Sequence, residues 1–225
     1  MNNLSAFISL AWPQTEVKQV GVWYDKPMRW IGINKEGKYR VGHAACLLVD
    51  AESKKIHYFD FGRYHTPKKH GRVRSIETDP ELQFPFEAEY NKGKITNLAQ
   101  ILQHIAGCKS THGKGVMYAG VYYGADALKV KQKALEWQKK DAVPYGPFDK
   151  KGTNCSRFVA SLAKAGISET NIQIKLWLPY TISPTPMYNI YHINNIGGYF
   201  EVKQSKVHFI PHKRNLKKYR YAFGG

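Results

Sequence analysis

The chain is poor in the features that would place it in several large protein classes. It has only three cysteines, Cys46, Cys108 and Cys155, too far apart for any CxxC pair. An odd, sparse set argues against a disulfide framework and fits a reducing compartment. No cysteine or histidine spacing reads as a zinc site, so no metal is expected, and no motif calls for an organic cofactor. No apolar run approaches the roughly 20 residues that span a bilayer. The opening "MNNLSAFISLAW" lacks a positive region ahead of its short apolar stretch, so a signal peptide is not expected. These absences lead us to expect a soluble, cytoplasmic protein. Acidic side chains are also scarce, 17 against 34 Lys and Arg, which gives a net charge of +17. Such a field attracts nucleic acid, anionic lipid or acidic polymers without choosing among them. Internal repeats and low-complexity tracts are missing too.

What is present suffices for a packed core: 225 residues, 43% of them hydrophobic. "VGHAACLLV" (41–49) and "IHYFDFG" (56–62) have strand composition, and "DAESKK" between them has turn composition. "TPKKHGRVRS" (66–75) reads as a basic loop, and the prolines of "ETDPELQFPFEAEY" predict an edge or irregular piece. Leu98, Ile101, Leu102 and Ile105 recur at helical spacing and predict a helix ending near Gly107. "GVMYAGVYYG" (115–124) reads as a strand and "ADALKVKQKALEWQKK" (125–140) as a Lys-rich helix with a solvated face. Two prolines and two glycines break residues 141–154 into a loop. Strands, helices, a strand and a further helix in this order predict an α+β domain over 1–170. Residues 171–225 read as an aromatic and basic C-terminal extension packing on it.

One cysteine stands where chemistry is served. In "GTNCSRFVASLAKAGI" (152–167), Cys155 falls in the first turn of an amphipathic helix capped by Thr153 or Asn154. Cys155, Phe158, Val159 and Leu162 share one face, and Gly166 ends the run. Unsatisfied N–H groups and the positive dipole end favour thiolate over thiol there. Those amides also suit the oxyanion of a tetrahedral intermediate. A free cysteine is just as commonly a small buried hydrophobe, and the local context weighs both readings alike.

A nucleophilic cysteine needs a base held by a third polar group. Of nine histidines, His43 is the one at the head of an apolar strand, where an imidazole needs a reason. If the turn pairs Asp50 with Lys55, opposed residue numbers sum to 105, so Asp60 lies diagonally across from His43 on the same face. A buried aspartate there requires a partner, which an imidazole provides. A one-residue bulge would reverse the parity and present His57 or Phe61 instead, of which His57 is the alternative third residue.

These residues carry a family resemblance. "VPYGPFDKKGTNCSRFVASLAKAGI" (143–167) resembles the cysteine motif of NlpC-type cell-wall peptidases, and "GHAACLLVDAESKKIHYFD" (42–60) resembles the same family's histidine motif. The histidine motif comes first, an order similar to the circularly permuted papain-like branch, which includes lecithin:retinol acyltransferase-like enzymes and deubiquitinase-like isopeptidases. The resemblance implies a permuted papain-like fold, with an antiparallel sheet packed against the helix that bears the nucleophile. It implies Cys155 as nucleophile, His43 as base, Asp60 as third residue, and Tyr145 and Asn154 lining the oxyanion side of the pocket. Asn154 departs from the usual Asp while keeping the cap, and Arg157 replaces the usual Gly.

Arg63, Arg72 and Arg74 follow the second strand and are candidates for gripping a carboxylate or phosphate of the substrate. The expected function is a cysteine-dependent hydrolase, a peptidase or amidase, with a peptide, amide or acyl-ester substrate that the basic charge inclines toward anionic. One alternative is a non-catalytic basic binding module for anionic polymers or a protein partner. Another is a lipid acyltransferase or thioesterase using a groove lined by "LWLPY". Nucleic acid is the less favoured partner: "HKRNLKKYRYAF" interleaves basic and aromatic residues, but no recognisable binding fold accompanies it.

Overall fold

A computed structural model describes residues 5–18, 34–35, 38–39, 41–147, 149, 151–179 and 183–212. The strands are β1 (Ser5–Trp12), β2 (Val17–Lys18), β3 (Asn34–Lys35), β4 (Lys38–Tyr39), β5 (His43–Val49), β6 (Ile56–Gly62), β7 (His70–Arg74), β8 (Tyr90–Asn91), β9 (Lys94–Ile95), β10 (Met117–Ala125), β11 (Val143–Pro144), β12 (Gly198–Lys203) and β13 (Lys206–Pro211). The helices are α1 (Leu98–Gly107), α2 (Ala127–Gln138), α3 (Cys155–Gly166), α4 (Thr170–Trp177) and α5 (Pro186–His192). Eight strands form one antiparallel sheet in the order β11-β7-β6-β5-β1-β10-β12-β13. This is the expected α+β class, an antiparallel sheet with the Cys155 helix packed on it.

The sheet is covered on both sides, so its central strands are buried along their whole length. On one face Ala44, Cys46, Leu48, Phe59 and Phe61 pack against α2, α3, α4 and α5. On the other, Ala45, Leu47, Val49 and Tyr58 pack against α1 and the irregular segment around Leu82 and Phe84. Strict alternation along β5 feeds the two cores, and each fully buried Leu or Phe contributes roughly 1.5–3 kcal/mol. β1 occupies the middle of the sheet, between β5 and β10. Phe7, Ile8 and Leu10 suit a strand buried on both faces.

The β5–β6 hairpin has the register the turn composition predicts: Ala45 opposes Asp60 and Val49 opposes Ile56. The basic segment expected as a loop instead contains β7. Its Gly71 and Val73 alternate with Arg72 and Arg74, a period of two that the charges disguise. Arg74 is the register partner of Asp60. Beyond residue 170 the chain adds α4, α5 and a hairpin whose first strand pairs with β10. Residues 213–225, with most of the basic-aromatic tail, lie outside the described residues.

Candidate active site

The site assembles at the end of β5, where α3 begins. Gly42 has a positive φ of 74°, which strains any residue with a side chain, and a Cβ there would also be crowded, 3.1 Å from the Trp12 carbonyl oxygen. That turn feeds His43 into the first position of β5. The His43 ring stacks on its cross-strand neighbour Trp12, with centroids 5.7 Å apart. By alternation His43 shares a face with Asp60, and its Nε2 stands 3.2 Å from Asp60 Oδ2. His57, the alternative third residue, faces the other way and stacks on Phe59.

Cys155 reaches the same place from the opposite layer. Asn154 is the N-cap: its side-chain oxygen accepts from the Arg157 N–H at 2.9 Å, and its amide donates to Ser183 Oγ at 2.9 Å. Cys155 is 6% exposed. Its thiol lies within reach of the His43 imidazole and of the backbone amide of Ala44, the residue after His43. Ser156 Oγ lies 4.0 Å from Sγ.

These contacts set the protonation states. Burial would push the Cys155 thiol up. The neighbouring His43 imidazole, the Ala44 amide and the Ser156 hydroxyl outweigh it and hold the thiol below its ordinary value. Burial would make His43 a weaker base, but Asp60 and Cys155 together raise the imidazole to about 9. Asp60, also opposed by burial, is held down to about 2 by His43 and Arg74. All three shifts favour a thiolate–imidazolium pair at neutral pH.

Asp60 is fully buried and heavily bonded. Oδ2 accepts from Tyr58 Oη at 2.8 Å, Tyr64 Oη at 3.3 Å and Arg74 Nη2 at 2.5 Å, and Oδ1 accepts from Arg74 Nε at 3.0 Å. Arg74 is therefore no substrate clamp. It is 2% exposed, donates from Nη1 to the Ser110 carbonyl at 2.8 Å, and lies 3.6 Å from the centre of the Tyr64 ring. Arg72 is likewise taken up, in a bidentate pair with Asp79 at 2.7 Å on each arm. Both corrections have one cause: in a strand these arginines find carboxylates inside the protein. Arg63 places its guanidinium 5.5 Å from the Tyr145 ring centre.

The loop ahead of Cys155 is fastened closely. Tyr145 stacks on Phe61 with centroids 5.8 Å apart, and its backbone N–H donates to Lys69. Tyr145 and Thr153 form a parallel bridge, two residues before the thiol. Arg157 does not project a free charge at the site: its Nη1 donates to the carbonyls of Gly146 at 3.3 Å and Asp149 at 3.0 Å. Sequence reasoning missed Tyr58, Tyr64 and the true partner of Arg74. The missing signal was the alternation in "HGRVR".

The Cys155 thiol, the His43 imidazole and the Asp60 carboxylate thus lie together where the antiparallel sheet meets the start of α3, in a protein of the α+β class. A family model described as type VI secretion system effector TseH-like matches residues 7–172, a span that holds His43, Asp60, Arg74 and Cys155. The chain belongs to this TseH-like effector family. Among curated proteins nothing matches it. The crystal structure of the type VI secretion system effector TseH aligns with a TM-score of 0.59 at 18% identity, over 93% of this chain and 99% of that one. At that identity the likeness is one of fold.

Proposed function

We propose that this protein is a cysteine-dependent hydrolase, a peptidase or amidase on a permuted papain-like, NlpC-type scaffold. The observation that carries the reading is the His43 ring, in contact with the buried Asp60 carboxylate and beside the Cys155 thiol at the start of α3. Cys155 attacks the substrate carbonyl as thiolate, and the amides at the start of α3 receive the oxyanion. Asn154 keeps that helix start in place, and Tyr145 lines the same side. The His43 imidazolium gives its proton to the leaving amine as the C–N bond breaks. Water, deprotonated by His43, then hydrolyses the thioester to a free carboxylate and regenerates the thiol. No residue in this scheme requires a metal or cofactor.

The family description supports reading the chain as an effector, and the motif resemblance supports a cell-wall peptide as substrate, in keeping with the net charge of +17. We propose that the chain is held in the reducing cytoplasm before use, where an activated thiol survives. A second reading, acyl transfer from lipid, draws on Trp177 and Leu178, exposed by 69% and 73%. The test is product analysis by mass spectrometry after incubation with cell-wall peptides, peptide amides and acyl esters. The hydrolase reading expects new carboxylate and amine ends with wild type and none with Cys155→Ala. Undiminished products from the variant would overturn it, and acyl-ester cleavage alone would favour the lipid reading.

A further inference from the structure

The Cys155, His43 and Asp60 side chains carry one net negative charge when the thiol is ionised. Buried charge without a counter-charge is expensive. Arg74 supplies the missing positive charge, itself buried, through a two-pronged bond to Asp60: Nε on Oδ1, and Nη2 on Oδ2, the oxygen that His43 also contacts. We infer that Arg74 is a positioning residue of this site, closing a line of four alternating charges (thiolate, imidazolium, carboxylate, guanidinium) that keeps the thiolate–imidazolium pair formed at neutral pH. The inference rests on the hydrolase reading of Cys155 and His43.

The surroundings of Asp60 leave this task to Arg74. On its own strand and the turn beyond, the neighbours are the phenols of Tyr58 and Tyr64, both raised by burial and by the nearby carboxylate, so both remain neutral donors. From β5 come His43 and Cys46, whose thiol burial holds in the neutral form. His112 stacks on Tyr64, and burial and the Arg74 charge weaken it as a base. Arg72, two residues along β7, is neutralised by Asp79. Among these described neighbours Arg74 is the one permanent cation bonded to Asp60. Without it the cluster sheds its excess negative charge by taking up a proton, and the thiolate is lost first where alkylation reads it.

The experiment is the pH dependence of Cys155 alkylation by iodoacetamide in wild type, Arg74→Met, Arg74→Lys, Asp60→Asn and the double variant Asp60→Asn/Arg74→Met, with folding checked by circular dichroism. The expected result is that R74M alkylates about tenfold or more slowly than wild type at pH 6, the effect of a shift of about one pKa unit. R74K, which keeps the charge, should stay within about threefold of wild type on the same scale. A merely structural arginine would lower the melting temperature and leave the profile of folded protein unmoved. Should R74M not fold, the remaining comparison decides. D60N leaves a buried cation facing the imidazole, so deleting that cation in the double variant should speed alkylation at pH 6; equal rates would overturn the inference. A wild-type thiol that reacts like an ordinary one sinks the hydrolase reading itself. An activated wild type with an identical R74M profile sinks only the part given to Arg74.

Discussion

His43 and Asp60 stand two residues out of direct register on one face of a hairpin, and their side chains close that diagonal with a 3.2 Å contact from Nε2 to Oδ2. Diagonal neighbours in an antiparallel pair are within reach of long side chains. The contact holds the imidazole at the first position of β5, close to the first turn of α3 that bears Cys155.

Asp60→Asn keeps the shape of the side chain and removes its charge, leaving the Arg74 guanidinium buried without a counter-ion. Breaking a buried pair from one side costs about 3–5 kcal/mol. Urea denaturation should show a loss of this size, and Cys155 alkylation at pH 6 should slow with it. A variant as stable as wild type would contradict the assignment of Asp60 as the anchor of this cluster.

Stability should depend on pH at both ends. Asp60 is depressed to about 2 from 3.8, so its contribution is full above 3.8 and is lost as pH falls through about 2. His43 is raised to about 9 from 6.5, so its contribution is full below 6.5 and is lost as pH rises through about 9. Thermal melts across this range should fall off at both extremes. In His43→Ala the loss between 6.5 and 9 should flatten; an unchanged alkaline limb would show that other groups carry it.

Asn154→Ala removes the cap of α3 and the bond to Ser183 together. Losing a cap of this kind costs about 0.5–2 kcal/mol. Alkylation of Cys155 should also slow, because the first turn that positions the thiol frays. A melting temperature and an alkylation rate both equal to wild type would show that Thr153 or the loop holds the helix start instead.

Gly152→Ala would place a Cβ 2.1 Å from the Pro144 carbonyl oxygen, a backbone atom that cannot swing aside. The loop bearing Tyr145 must then part from Thr153. Overpacking of this kind typically costs about 1–3 kcal/mol. Hydrolysis should suffer beyond the stability loss when measured well below the melting temperature. Full activity would argue that this loop plays no part in the site.

The legible parts of the molecule were those in which one short segment contains its own instructions. The β5–β6 register follows from the "DAESKK" turn, and α3 follows from Asn154, the buried Phe158, Val159 and Leu162, and Gly166. The diagonal from His43 to Asp60 needed only that register. Strand β7 was hidden because Arg72 and Arg74 look solvated in a sequence, and only the sheet reveals the carboxylates that bury them. Strand β1 gave no alternation to read, since a strand covered on both faces is apolar throughout. In both cases the deciding contacts come from distant parts of the chain.

The central claim is that His43 activates Cys155, and the most direct test is the pH dependence of Cys155 alkylation by iodoacetamide in wild type and His43→Ala. The predicted result is a wild-type thiol that reacts well below the ordinary value of about 8.5, with that advantage lost in the variant. Slow, identical profiles in the two proteins would contradict it.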